Sequence, residues 1–108
     1  MTFQDLVKKV THIKCDERRS VNEDYCEVVI SSKDLDKMSE LLAAYFGPPL
    51  KVEGDEPSDE AHKHAEAYGG IRSNQTMYLR NIPSGLELAL LWPWSCGTTL
   101  TVKIIRHR

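Results

Sequence analysis

Histidine, cysteine and paired carboxylates are the side chains that move protons, attack carbonyl carbons or hold metal ions, and this chain uses them sparingly. His62 and His64 stand two apart with Glu60 and Glu66 on either side, a composition that offers imidazole and carboxylate to a metal. Spacing decides against it. Residues two apart on a helix project about 200° from one another, whereas helical ligand pairs use spacings of about three or four. Only an extended segment would bring both imidazoles to one face. The pair therefore reads as solvated histidines on a polar helix, and no metal or cofactor is expected.

Cys15, Cys26 and Cys96 make an odd count without C-x-x-C spacing, which fits neither a disulfide framework nor a zinc ribbon. Reduced thiols are the expectation, and sequence alone leaves a Cys15 to Cys26 bridge open. A catalytic cysteine needs a base beside it, and the four histidines, His12, His62, His64 and His107, supply one only if folding happens to bring them near. Local signatures of catalysis are missing: there is no G-x-S-x-G, no H-E-x-x-H and no phosphate-cradling glycine loop. Gly69-Gly70 follows a helical segment instead of leading into one, so it offers no anion-binding helix start. The catalytic residues are unknown, and a small enzyme ranks third among the functional readings.

Both tryptophans of the chain fall in Leu91-Trp92-Pro93-Trp94-Ser95-Cys96-Gly97. Trp92 suits a core face. Trp94 lies in a turn, where a partly exposed indole has the character of a contact hot spot or the rim of a ligand pocket. The plainer alternative is that Trp94 folds back over the end of the core.

Something must position these residues, and the hydrophobic pattern says what. At 108 residues one domain, 1–108, with one core is expected. Phe3, Leu6, Val7, Val10 and Ile13 recur at helical spacing behind Thr2 and Asp5, which suit an N-cap and a first-turn acid. Residues 16–24 are almost all charged or polar and read as a solvated connection. A strand follows over 25–30. The clearest helix carries Leu35, Met38, Leu41, Leu42, Tyr45 and Phe46 on one stripe, starts at a capping serine (Ser31 or Ser32) and stops at Gly47-Pro48-Pro49. Residues 50–58 read as an exposed loop. A weak helix capped by Ser58 and ended by Gly69-Gly70 has mainly alanine to bury and should lie on the surface.

The C-terminal third alternates in polarity over 75–82, 86–92 and 98–107, with turn residues between, as in an antiparallel meander. Closing the second turn about Ser95 sets Leu86 opposite Ile104, Leu88 opposite Val102, Leu90 opposite Leu100 and Glu87 opposite Lys103. A Ser84-Gly85 turn brings Leu79 opposite Leu90 and Met77 opposite Trp92. The fold class predicted is α+β, a two-layer sandwich. Its mainly antiparallel sheet has about four strands, including the C-terminal three-stranded meander, and two amphipathic helices cover one face.

In that register the outward face carries Tyr78, Arg80, Leu91, Lys103 and Ile105, with Trp94 at its end, a set mixing aliphatic, aromatic and cationic groups as interfaces do. The leading reading is a non-enzymatic protein-interaction or self-association module using these six residues, with a homodimer or another protein as partner. The alternative is a small-ligand-binding domain whose pocket lies near the Trp92–Trp94 turn, between the sheet edge and the weak helix. Nucleic acid is a poor fit: the formal net charge is -2, and acidic residues dilute Arg72, Arg80, Lys103, Arg106 and Arg108. The longest apolar run, 88–94, is too short to span a bilayer, and the charged first segment is unlike a signal peptide. A cytoplasmic protein is the corresponding expectation.

Overall fold

The computed structural model of the chain describes residues 1–13 and 15–107, the side chains of Cys15 and Asp16 excepted. Arg108 and any approach of Cys15 to Cys26 lie outside the described residues. The elements run α1 (Phe3–His12), β1 (Cys15–Val21), β2 (Tyr25–Ser31), α2 (Leu35–Phe46), α3 (Asp59–Ala65), β3 (Thr76–Ile82), β4 (Gly85–Pro93) and β5 (Thr99–His107). All strand pairs are antiparallel, in one open sheet of order β1-β2-β5-β4-β3. The fold is α+β, and no helix among the described residues is long and apolar enough to cross a membrane.

Helix α1 begins at a capping box. The Asp5 amide donates to Thr2 Oγ1 at 3.1 Å and the Thr2 amide to Asp5 Oδ2 at 3.0 Å. Hydrogen bonds from the Thr2 backbone and then its side chain hold the Asp5 carboxyl below its usual range, so the cap favours the ionised acid. Phe3, Leu6 and Val10 form the buried stripe. In α2 the stripe is Met38, Leu42 and Phe46, and the helix ends at Gly47, whose φ of +82° suits glycine. Both stripes pack on one sheet face over Cys26, Val28 and Ile30 of β2, Ala89 and Leu91 of β4, and Leu100, Val102 and Ile104 of β5. Burying a side chain such as Leu42 there contributes about 2 kcal/mol.

The opposite face is covered at one end. Ser58 caps α3 by accepting from the Ala61 amide at 3.2 Å, and Ala61 and Ala65, one turn apart, are fully buried with Ile71, Met77, Leu88, Leu90 and Ile105. Alanine was expected to keep this helix at the surface. Its small side chain instead lets the helix approach the strands closely, so short α3 becomes the roof of a second apolar cluster. The loop before α3 is pinned by Lys51, itself 4% exposed. Its ammonium donates to the carbonyls of Ser73 and Gln75.

Because both faces are covered, the meander takes a different register from the one predicted. Leu86 pairs with His107, Leu88 with Ile105, Ala89 with Ile104, Leu90 with Lys103 and Leu91 with Val102. Glu87 lies opposite Arg106 instead of Lys103. An odd displacement exchanges the faces of one strand relative to its neighbour. Here Leu88 and Leu90 serve the α3 side while Val102 and Ile104 serve the α1 and α2 side. The turn sets this. Pro93 continues the strand, and the Trp94 amide closes onto the Thr99 carbonyl at 2.9 Å, moving the turn towards the C-terminus. Between β3 and β4, Met77 pairs with Leu90 and Leu79 with Leu88, an even displacement from expectation that keeps these two strands facing as predicted relative to each other.

Residues 16–24, predicted as a solvated connection, contain most of β1, an edge strand with irregular pairing at two points along β2. Charged side chains and bulges suit an edge because they discourage further strands from adding there. The predicted strand 25–30 is β2, which joins the meander beside β5.

Candidate functional site

The six residues singled out from the sequence divide between the two sheet faces. Tyr78 and Leu91 are 4% exposed beneath the long helices, where the Tyr78 and Phe46 rings lie 5.9 Å apart. Arg80, on the same side, lays its guanidinium 4.8 Å from the centre of the Tyr45 ring. Ile105 is buried in the second cluster. Three of the supposed contact residues are thus core, because the true register turns Leu91 inward and α3 covers Ile105. Lys103 and Trp94 remain, on the part of the second face beyond α3.

These two sit in a connected tract. Trp94 is 40% exposed. Its indole N–H donates to Thr101 Oγ1 at 2.8 Å, and the Arg19 guanidinium lies 5.5 Å from its ring centre. Thr101 is buried, as is its cross-strand partner Val29. Arg19 also bonds Glu27 at 3.4 Å, and Glu27 accepts a 2.6 Å bond from the Tyr25 hydroxyl. Burial, then the bond to Glu27, pushes the Tyr25 phenol well above its ordinary pKa. Opposite Glu27 stands Lys103, whose ammonium lies 3.6 Å from the centre of the Trp92 ring and donates to the Tyr68 carbonyl at 3.1 Å. Burial lowers the Lys103 pKa, Glu27 counteracts this, and Arg19 adds to it.

Trp92 is the fixed point of the tract. A Cβ on Gly69 would stand 2.3 Å from its Cη2, so the turn after α3 can lie against the indole only with glycine there. Among the described residues the Trp92 N–H is buried without an acceptor, which costs about 1–3 kcal/mol. Cation–π attraction to Lys103 and the apolar surroundings offset that cost.

Sequence reasoning located Trp94 and Lys103 but missed Arg19, Tyr25 and Glu27. The available signal was the alternation of Glu17 and Arg19 ahead of a clear strand, which fits one face of an edge strand. Cys96 is exposed in the turn, where hydrogen bonds from Thr98 and then Thr99 lower its thiol to about 7. These donors stabilise a thiolate but take no proton from it, so the arrangement lacks the base of a Cys-His pair. His62 is exposed on α3. His64 and His107 border a shallow cleft of about 160 Å³ with Tyr68 and Leu86, and the Tyr68 hydroxyl lies 3.1 Å from His107 Nδ1. That recess is at the α3 flank, away from Trp94, and is smaller than a ligand pocket of ordinary size.

Comparison with protein-family models, with curated proteins and with solved structures gives no match.

Proposed function

We propose that this chain is a non-enzymatic binding module whose contact surface is the aromatic and cationic tract of Trp94, Arg19, Tyr25, Glu27 and Lys103, and that its partner is a protein segment. One observation carries the reading: Trp94 is 40% exposed while its only polar atom is already satisfied by Thr101. An indole so held offers apolar surface without a rotamer to freeze or an N–H to desolvate, which lowers the cost of binding. Along the same tract lie Arg19 and Tyr25, joined through Glu27, and Lys103, held by Trp92 and the Tyr68 carbonyl. Tyr, Trp and Arg are the residues that dominate binding hot spots. The partner in this reading places an apolar group on the indole and a carboxylate or carbonyl towards Arg19.

Selection of displayed peptides on the immobilised chain, followed by titration calorimetry, tests it. Selected peptides should lose about 30-fold in affinity on Trp94→Ala, the scale of a hot-spot truncation. Unchanged affinity across independent peptides would refute the reading. Sedimentation velocity on the same pair of proteins shows whether a second copy is itself the partner.

A further inference from the structure

Behind the turn that presents Trp94 lies a separate cleft of about 350 Å³, within the range of small-molecule pockets. Its apolar lining comes from Leu35, Leu91, Pro93 and Leu100. Leu91 and Leu100 are almost fully buried and belong to the main core cluster, so this part of the cleft is rigid. Ser32 in the 3-10 turn before α2, Leu35 at its first position and Ser39 one turn further line one side, so the cleft runs past the first turns of α2. Of the hydroxyls of Ser39, Thr76 and Thr99 at the lining, Ser39 is bonded to Tyr78 and Thr99 to Cys96, which leaves Thr76, and Glu53 carries the only charge among the described lining residues. Room for roughly twelve water-sized groups, at about 30 Å³ each, suits a molecule with one ring or a short alkyl chain.

From the apolar lining and the single carboxylate, we infer that this cleft binds a small primary amine with an apolar body. The body lies on Leu91 and Leu100, and the ammonium points to Glu53. A carboxylate ligand meets Glu53 with like charge and no basic lining residue to offset it. This site goes beyond the partner surface proposed above. It faces the α1 and α2 side of the sheet, while Trp94 is bonded to Thr101 on the other.

The test uses three probes of similar size on the full chain, phenethylamine, 2-phenylethanol and 3-phenylpropionate, titrated while amide shifts are followed by heteronuclear NMR. Saturable shifts at Leu91, Leu100 and Thr76 are expected with the amine. It should bind about fivefold tighter than the alcohol, the scale of an exposed ion pair, and tighter still than the acid. Glu53→Gln should abolish the preference for amine over alcohol and leave alcohol binding unchanged. Thr76→Phe should fill the cleft and remove binding of both, and Ser32→Trp, on the exposed rim, checks the same point should Thr76→Phe fold poorly. Shifts that fail to saturate or map elsewhere would overturn the site. An acid or alcohol binding as tightly as the amine would overturn the ligand class.

Discussion

Replacing Gly69 by alanine probes the part of the structure on which the tract rests. Gly69 has a φ of +103°, a conformation side chains rarely adopt, and forcing alanine into it costs about 1–2 kcal/mol. The added methyl would also stand 2.3 Å from Trp92 Cη2 and 3.0 Å from Cζ2. Displacing a packed ring costs a further 1–3 kcal/mol or so. Reduced freedom of the unfolded chain returns about 0.4–1 kcal/mol, leaving a net loss of about 1–4.6 kcal/mol, centred on about 3 kcal/mol. At about 4 °C per kcal/mol for a domain of this size, the melting temperature should fall by about 12 °C, within a range of about 4–18 °C. Gly97→Ala is the control, since Gly97 has a φ of +76° and nothing within 4 Å of the would-be Cβ. It should lose only the backbone part less the same return, about 0–1.6 kcal/mol. Urea denaturation of both variants, and of Gly69→Ala combined with Trp92→Phe, completes the cycle. Phenylalanine lacks the atoms that clash, so the double variant should be more stable than additivity allows by at least about 1 kcal/mol. Should Gly69→Ala cost no more than Gly97→Ala, or add fully with Trp92→Phe, the indole does not lie beneath this turn.

Other perturbations follow from single contacts. Lys51→Met keeps the buried stem but removes the ammonium. The Ser73 carbonyl retains the Gly54 amide as donor at 2.7 Å, whereas the Gln75 carbonyl loses its Lys51 donor. A loss of about 1–3 kcal/mol in urea denaturation is expected, and a change within about 0.5 kcal/mol would contradict it. Alkylation of Cys96 by iodoacetamide, read by peptide mapping, should be half-maximal near pH 7, and Thr98→Val should move that midpoint towards the ordinary thiol value of about 8.5. A wild-type midpoint already there would refute the hydrogen-bond explanation. Burial, then the 2.6 Å bond to Glu87, pushes the Tyr45 phenol up to about 12. Its folded pKa exceeds its unfolded one, so the folded chain holds the proton longer. Stability linked to Tyr45 is complete below pH 10 or so and is lost as pH rises towards about 12. Tyr45→Phe should flatten the alkaline decline in that window, and an unchanged slope would count against the bond.

Much of the framework was readable because periodicity and punctuation agreed. Met38, Leu42 and Phe46 form the stripe expected of α2, and Gly47 ends it. The meander was readable as strands but not as a register, since beyond Glu87 the residues 88–92 are apolar on both sides. A strand buried on both faces carries no alternation to say which residues turn inward. That ambiguity sent Tyr78, Leu91 and Ile105 to a contact surface when they belong to the core. β1 was hidden for the opposite reason: an edge strand rich in Asp, Glu and Arg buries too little to leave a hydrophobic signature. Arg19 and Glu27 were lost with it, although Trp94 was visible by type alone. Helix α3 was undervalued because two buried alanines look weak until one sees how close they let the helix come.

The footprint of a selected peptide on the isotopically labelled chain bears most directly on the binding role. The largest shift changes are expected at the Trp94 indole N–H and at the amides of Arg19, Glu27 and Lys103, with α1 and the exposed side of α2 unmoved. A footprint centred on the long helices, with the Trp94 indole resonance unchanged at saturation, would contradict it.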